Sequence, residues 1–214
     1  MHTNLTNTVV VFDLDDTLYP EADYVTSGIR HVCAQIHSLY GKDIYTDVNS
    51  ALEANPKVDW LAFACECAGL PNTARDSLLW NYRLHEPTIA LPAGVKSTLR
   101  ILGANATLAI LSDGRSVTQR LKIKALGLSH LPVYISQDFG SEKPDSLRFK
   151  QIILDFPDRN YVYVGDNPSK DFVAPNSLGW LTIGLRGDGR NIHQVDTNDL
   201  EECYLPKLWV NSPR

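Results

Sequence analysis

Four polar segments follow apolar runs in this chain: Asp13-Leu14-Asp15-Asp16-Thr17, Ser112-Asp113-Gly114, Lys143 after a short intervening stretch, and Gly165-Asp166-Asn167-Pro168-Ser169-Lys170-Asp171. A carboxylate is a competent nucleophile, and attack by Asp13 on a phosphoryl group would form an aspartyl phosphate, dividing one very slow hydrolysis into two displacements. Asp15, two positions on along extended backbone, projects to the same side. There it can protonate the leaving alkoxide and then deprotonate the incoming water. That duty needs a raised pKa, and the neighbouring anions Asp13 and Asp166 push in that direction.

Gathering Asp13, Asp15, Asp166 and Asp171 beside an anionic substrate is strongly unfavourable without added positive charge, so a divalent cation is implied. The four clusters contain no His or Cys, and an all-oxygen donor set favours Mg2+ over zinc. A calcium loop starting at Asp13 would need glycine at position 18 and glutamate at position 24, where Leu18 and Tyr24 stand. Lys143 offers a point charge to a phosphate oxygen and to Asp13. The Ser112 hydroxyl and the amides of Asp113 and Gly114, ahead of a helix N-terminus, complement the remaining phosphoryl oxygens. Taken singly, an Asp-x-Asp after a strand is often a solvated turn and a Lys before Pro a surface residue. The specific signal is their joint occurrence, in order.

The elements that must position these clusters follow from hydrophobic periodicity. Thr8 to Asp13 reads as a buried parallel strand, because Val9-Val10-Val11-Phe12 is apolar without alternation. Residues 21–88 change character. Ile29, Val32, Cys33, Ile36, Leu39 and Tyr40 keep helical spacing, and further helices are expected from Trp60 to Ala68 and from about Thr73 to His85. From Gly94 onward helices and strands alternate: a helix through Val95, Leu99 and Leu102, the strand Thr107–Leu111, and a helix through Val117, Leu121 and Ala125 ended by Gly127. There follow Val133–Ile135, a helix from about Ser146 to Leu154, Tyr161–Val164, a helix near Asp171 to Leu178, and Leu181–Ile183. This pattern implies an α/β fold, a doubly wound, mainly parallel, Rossmann-like sheet formed by residues 1–20 and 89–214, with residues 21–88 inserted as a helical cap. Such sheets bind ligands beyond the carboxyl ends of their strands, where the strand order reverses. Gly187 to Arg214 is turn-rich, with Pro206 and Trp209 suggesting packing.

Composition narrows the function classes. The chain has 214 residues, 43% of them apolar and 21% charged, with a net charge of −5. No run approaches the ~20 apolar residues of a membrane span, and the N-terminal MHTNLTNT lacks the basic start of a signal peptide. A cytoplasmic protein with no membrane partner is expected. The acidic pI near 5.6 and the lack of a basic stripe argue against nucleic acid. Cys33, Cys65, Cys67 and Cys203 have no paired metal or disulfide spacing and read as buried small hydrophobes. Nothing in the sequence sets the oligomeric state.

The segments Phe12-Asp-Leu-Asp-Asp-Thr-Leu-Tyr19, Ser112-Asp-Gly114, Lys143-Pro144-Asp145 and Gly165-Asp-Asn-Pro-Ser-Lys-Asp171 resemble, in order, the four motifs of the haloacid dehalogenase superfamily. The resemblance spans residues 9 to about 185. Gln119-Arg-Leu-Lys-Ile-Lys-Ala-Leu-Gly-Leu128 is similar to the helix after the second motif in its phosphatases. The resemblance implies Asp13 as nucleophile and Asp15 as acid/base. It also implies magnesium on the carboxylates of Asp13 and Asp166 and the main-chain carbonyl of Asp15, supported by Asp171, and a helical cap. Ser112-Asp113-Gly114 departs from the commoner Thr-Asn-Gly.

These residues imply a phosphatase acting on a small phosphorylated metabolite. A dehalogenase needs no metal and, in the family pattern, lacks the acid corresponding to Asp15. A phospho-accepting receiver domain places its acceptor after an internal strand and has no helical insertion. Asp-Leu-Asp-Asp-Thr-Leu-Tyr-Pro resembles pyrimidine nucleotidases, and Gly-Asp-Asn-Pro-Ser-Lys-Asp-Phe resembles bacterial phosphatases of sugar or surface-polysaccharide metabolism. The expected substrate is therefore a sugar phosphate or a nucleoside monophosphate. Arg30, His31, Tyr82, Arg83, His85 and Arg115 are candidate substrate contacts, although most such residues on amphipathic helices are simply solvated.

Overall fold

The computed structural model describes residues 5–186 and 200–211. Along the chain, β1 (Thr8–Phe12) precedes four helices, α1 (Glu21–Tyr40), α2 (Tyr45–Ala54), α3 (Trp60–Ala68) and α4 (Arg75–Leu84). Then come α5 (Ala93–Gly103), β2 (Thr107–Ser112), α6 (Ser116–Ala125), β3 (Val133–Ile135), α7 (Ser136–Phe139) and α8 (Leu147–Asp155). The last elements are β4 (Asn160–Gly165), α9 (Val173–Ser177), β5 (Leu181–Arg186) and β6 (Leu208–Asn211). The chain divides into two compact units, Met1–Ala22 with Ile89–Arg214, and Asp23–Thr88. No helix among the described residues is long and apolar enough to cross a membrane.

In the first unit six strands form one sheet in the order β3-β2-β1-β4-β5-β6. Every pairing in it is parallel. The expected α/β, doubly wound architecture is therefore present. The chain winds outward from β1 through β2 to β3, then crosses back to place β4 on the other side of β1. This reversal puts the carboxyl ends of β1, β2 and β4 side by side. Every residue of β1 is buried. Alternate residues Val9 and Val11 join Ala109, Leu111, Tyr163, Phe149, Ile152, Phe172 and Trp180 in one core. Phe149 meets Tyr163 and Trp180 edge-on, at centroid separations of 5.2 and 5.4 Å, a favoured aromatic geometry.

The second unit has its own core, in which Ile29, Val32, Cys33 and Ile36 of α1 pack with Ile44, Val48, Leu61, Ala64, Cys65 and Leu78. Gly28 admits the Tyr82 ring, since a Cβ there would lie 2.3 Å from Tyr82 Cε2. Helix α3 matches its expected span. Asp59 caps it by accepting from the Ala62 amide, and Gly69 ends it at φ 69°.

Several expectations are corrected. Leu39 and Tyr40 lie on the exposed end of α1 rather than its packed face, and Cys203 is exposed. The packed face of α6 is Gln119, Lys122 and Ile123, whereas Val117, the first residue of the expected apolar face, is exposed. Helix α2 was not anticipated, because Val48 is its one fully buried residue. Within Gly187 to Arg214, residues 187–199 and 212–214 lie outside the described residues. The described part contains β6, paired to β5.

Gly184 of β5 lies against the segment that carries β6. A Cβ there would sit 2.6 Å from both Pro206 Cγ and Trp209 Cε3. Gly184→Val is expected to cost ~1–3 kcal/mol of stability by overpacking, seen as a lower urea midpoint with unchanged slope. An unchanged midpoint would show that β6 does not pack tightly there.

Candidate active site

Asp13 follows directly on β1, and its amide donates to the Val164 carbonyl at 2.9 Å, carrying the pairing with β4 one residue further. Its buried carboxylate lies 3.0 Å from Lys143 Nζ. The same ammonium lies 2.7 Å from Asp171 Oδ1 and donates to the Tyr163 hydroxyl at 3.2 Å. Asp171, fully buried, accepts the Asn167 amide on Oδ2 at 2.8 Å. Gly165 makes this possible, since a Cβ at that position would stand 2.5 Å from Asp171 Oδ2. Burial drives the Asp13 carboxyl up, Lys143 opposes it, Asp171 adds to it, and the result is about 6. For Lys143 burial favours the neutral amine, but Asp13 and Asp171 outweigh burial and hold it well above its usual value.

Asp13, Asp166 and Asp171 each offer a carboxylate oxygen, and these oxygens lie within 4.8 Å of one another. Thr17 Oγ1 donates to Asp166 Oδ1 at 3.2 Å. Three hard oxygen donors around one point suit a divalent cation such as magnesium. The two carboxylates expected to hold the ion, Asp13 and Asp166, are in this group, and Asp171, expected in support, lies beside them.

Asp15 departs from the expected raised pKa. Burial pushes its carboxyl up, but Lys122, Gln119 and Tyr19 together outweigh burial and hold it below the usual value. Lys122 Nζ donates to Oδ1 at 2.8 Å and Oδ2 at 2.9 Å, Gln119 Nε2 to Oδ2 at 2.9 Å, and the Tyr19 hydroxyl to Oδ1 at 2.5 Å. Beside it Glu21, at the start of α1, is raised to about 7 by burial and by Asp15, with Lys122 opposing.

At the end of β2, the Ser112 hydroxyl accepts from Gln119 Nε2 at 2.6 Å. Arg148, fully buried on α8, donates to the carbonyls of Ser112 and Tyr134 at 2.9 and 3.3 Å and pairs with the Asp113 carboxylate. Burial raises Asp113, but Lys143 and Arg148 bring it below the usual range. The Gly114 amide donates to Ser136 Oγ at 2.9 Å. It is therefore already committed, contrary to its expected service to phosphate. A cavity of about 120 Å3 is lined by Asp13, Asp15, Asp16, Glu21, Ser112, Asp113, Asp166, Asn167 and Lys170. Lys143 and Asp171 are not in that lining, and among the described residues Lys170 is the cation in it.

Lys122, Gln119, Tyr19, Glu21, Arg148 and Lys170 were not among the expected site residues. Lys122 and Gln119 fall in the stretch Gln119–Leu128, whose similarity to the helix after the second motif was their one signal. Of the substrate-contact candidates, His85 is buried, with Nδ1 2.6 Å from the Tyr82 carbonyl and Nε2 3.1 Å from Ser27 Oγ, so it holds structure together. Arg30 donates to the Tyr45 hydroxyl at 3.0 Å, His31 lies 2.8 Å from Asn81 Oδ1, and Arg83 sits over the Trp80 ring. Arg30 and His31 help to line a polar cavity of about 520 Å3 in the second unit. The Arg115 carbonyl accepts the Gln119 amide at the start of α6.

Residues 10–184 match the family described as haloacid dehalogenase-like hydrolase. The chain belongs to that family. It is thus an enzyme of the haloacid dehalogenase-like hydrolases, with the expected sheet and helical insertion. Among curated proteins it is similar to the glyceraldehyde 3-phosphate phosphatases of Methanocaldococcus jannaschii, 24% identical over 93% of this chain and 94% of that one, and Methanopyrus kandleri, 25% identical over 96% and 93%. A ribulose-1,5-bisphosphate 5-phosphatase of Halopiger xanaduensis is 26% identical over 82% of this chain and 83% of its own. In fold the chain is similar to the magnesium-bound hydrolase YfnB of Bacillus subtilis, with TM-score 0.66, 18% identity, and 95% and 93% of the two chains covered. A 2-haloacid dehalogenase of Pseudomonas syringae gives TM-score 0.61 at 21% identity, with the same coverage.

A cation on this cluster competes with the Asp13 proton. Below about pH 6 the ion must displace that proton, so the apparent Mg2+ affinity should fall by about tenfold per pH unit. Above that pH it should level off. Calorimetric titration of the protein without substrate, from about pH 5 to about pH 7.5, measures this, and a pH-independent affinity would contradict it.

Proposed function

We propose that the chain is a magnesium-dependent phosphatase that hydrolyses a small phosphate monoester through an aspartyl phosphate on Asp13. The observation that carries this reading is the grouping of Asp13, Asp166 and Asp171 oxygens within 4.8 Å, with Asp13 itself 3.0 Å from Lys143. A hydrolase that attacks a halogenated carbon has no use for such a cation site, whereas a phosphoryl group brings charge that needs one.

In the first displacement the Asp13 carboxylate attacks phosphorus and the bond to the substrate's alkyl oxygen breaks. That oxygen takes a proton from Asp15. The carboxylate of Asp15 is ionised when it faces only Lys122, Gln119 and Tyr19, so it must first gain that proton. The substrate, whose second ionisation lies at about pH 6, enters as the monoanion and passes its proton to Asp15, whose pKa the resulting phosphate dianion raises. In the second displacement ionised Asp15 takes a proton from water, which attacks phosphorus and frees Asp13. Lys143 favours the ionised form of Asp13 before attack and holds its side chain in place. Ser112 and the cavity-facing Lys170 meet phosphoryl oxygens, with the Asp113 amide beside them. Magnesium, held by the carboxylates of Asp13 and Asp166 and the main-chain carbonyl of Asp15, with Asp171 adjacent, would neutralise phosphoryl charge.

The three curated relatives act by name on phosphates of short sugars. This favours a sugar phosphate over a nucleoside monophosphate. In a panel of sugar phosphates, nucleoside monophosphates and phosphoglycolate, phosphate release is expected to be fastest with a triose or pentose phosphate, lost with EDTA and restored by Mg2+. Preference for nucleoside monophosphates would overturn the substrate class, and full activity without metal the mechanism.

Asp13→Asn should abolish turnover of every substrate with unchanged circular dichroism. Asp15→Asn should slow single-turnover release of an alkyl alcohol far more than release of nitrophenolate, which leaves without help. Equal slowing of the two would remove Asp15 from the general-acid role.

A further inference from the structure

Helix α6 presents a buried polar face, which costs stability unless each group is paired. Gln119 and Lys122, three positions apart, share that face, and both side chains turn to Asp15. The Lys122 side chain is 4% exposed and reaches both Asp15 oxygens, at 2.8 and 2.9 Å. Gln119 Nε2 ties Asp15 Oδ2 and Ser112 Oγ together, at 2.9 and 2.6 Å, and the Tyr19 hydroxyl closes the far side on Oδ1. Both Asp15 oxygens are therefore engaged by donors on the α6 side.

Asp15 stands only two residues from Asp13, in a cavity also lined by Asp166. A loose carboxylate so close to a divalent cation would be drawn into its ligand shell, since the attraction in a partly buried site far exceeds that in bulk water. Yet the oxygens that gather within 4.8 Å of one another come from Asp13, Asp166 and Asp171, and Asp15 is not among them. We propose that Lys122, supported by Gln119, is a positioning residue that withholds the Asp15 carboxylate from the cation and so keeps it for proton transfer at the leaving oxygen. This rests on the divalent-cation reading above. Pairing Asp15 is also what a purely structural lysine would do, so the distinguishing readout is metal affinity through Asp15.

Calorimetric titration with Mg2+, without substrate, of wild type, Lys122→Met, Asp15→Asn and the double variant provides the test. Lys122→Met is expected to bind Mg2+ at least about threefold more tightly, and Asp15→Asn is expected to erase that gain, because the released carboxylate is its source. Removal of a nearby positive charge would by itself tighten binding equally in both backgrounds, and that result overturns the proposal, as does no gain at all. Lys122→Arg, which keeps a positive donor beside Asp15, should lack the gain in Mg2+ affinity seen in Lys122→Met. If circular dichroism shows Lys122→Met unfolded, Lys122→Gln, which cannot span both oxygens, takes its place in the cycle. A wild-type chain that binds no Mg2+ overturns the cation reading and this inference with it. Wild-type binding without coupling to Asp15 overturns the inference alone.

Discussion

Lys143 is the charge on which the site depends. Its ammonium is shut away from solvent between Asp13 and Asp171, at 3.0 and 2.7 Å. Removing one partner of such a buried pair leaves an uncompensated charge, typically costing about 3–5 kcal/mol. The strand order makes the arrangement necessary. Because β1 lies between β2 and β4, the acids that follow β1 and β4 meet at one edge. Asp171 can reach Lys143 only because Gly165 leaves room for it.

The same edge separates two aspartates by environment. Asp13 is buried against Lys143 and the Asp171 anion and is pushed up to about 6, while Asp15, two residues later, is held low by Lys122, Gln119 and Tyr19. By themselves these shifts run opposite to the proposed roles, since a raised carboxyl is ordinarily the acid and a lowered one the nucleophile; a cation beside Asp13 and a proton brought to Asp15 by the substrate would reverse them. The two side chains meet different helices: Asp13 faces Lys143, carried just before α8, and Asp15 faces α6. Arg148, reaching from α8 to the Ser112 carbonyl and Asp113, fixes the end of β2 between them.

The sheet was legible because β1 and β4 are runs of β-branched and aromatic residues, and β2, although it contains the helix formers Leu108, Ala109 and Leu111, is a short apolar run without alternation; all three end in polar clusters. Asp13, Asp15, Ser112, Asp113 and Asp166 surround one cavity for the same reason, since each follows a strand end. What was not legible depends on long-range pairing. Strand β6 is an edge strand with Leu208 and Val210 exposed, so no alternation marks it, and its order comes from pairing with β5. In α6 the apolar stripe through Val117 pointed to the wrong face, because the tertiary structure buries Lys122 against Asp15. Lys122 and Gln119 on that buried face, with Tyr19, hold the Asp15 carboxyl low against its burial. Gly114 was expected to serve phosphate, but Ser136, more than twenty residues away, takes its amide.

The central claim is that Asp13 carries the phosphoryl group between two displacements. Asp15→Asn, which lacks the base for the second displacement, should allow that intermediate to accumulate. The variant, mixed with Mg2+ and a sugar phosphate, quenched in acid and digested, can be read by peptide mass spectrometry. The account predicts a phosphoryl group on the peptide that contains Asp13, located on Asp13 itself and absent from Asp13→Asn. A turnover-competent protein that never carries phosphate on Asp13, or carries it on another residue, would contradict it.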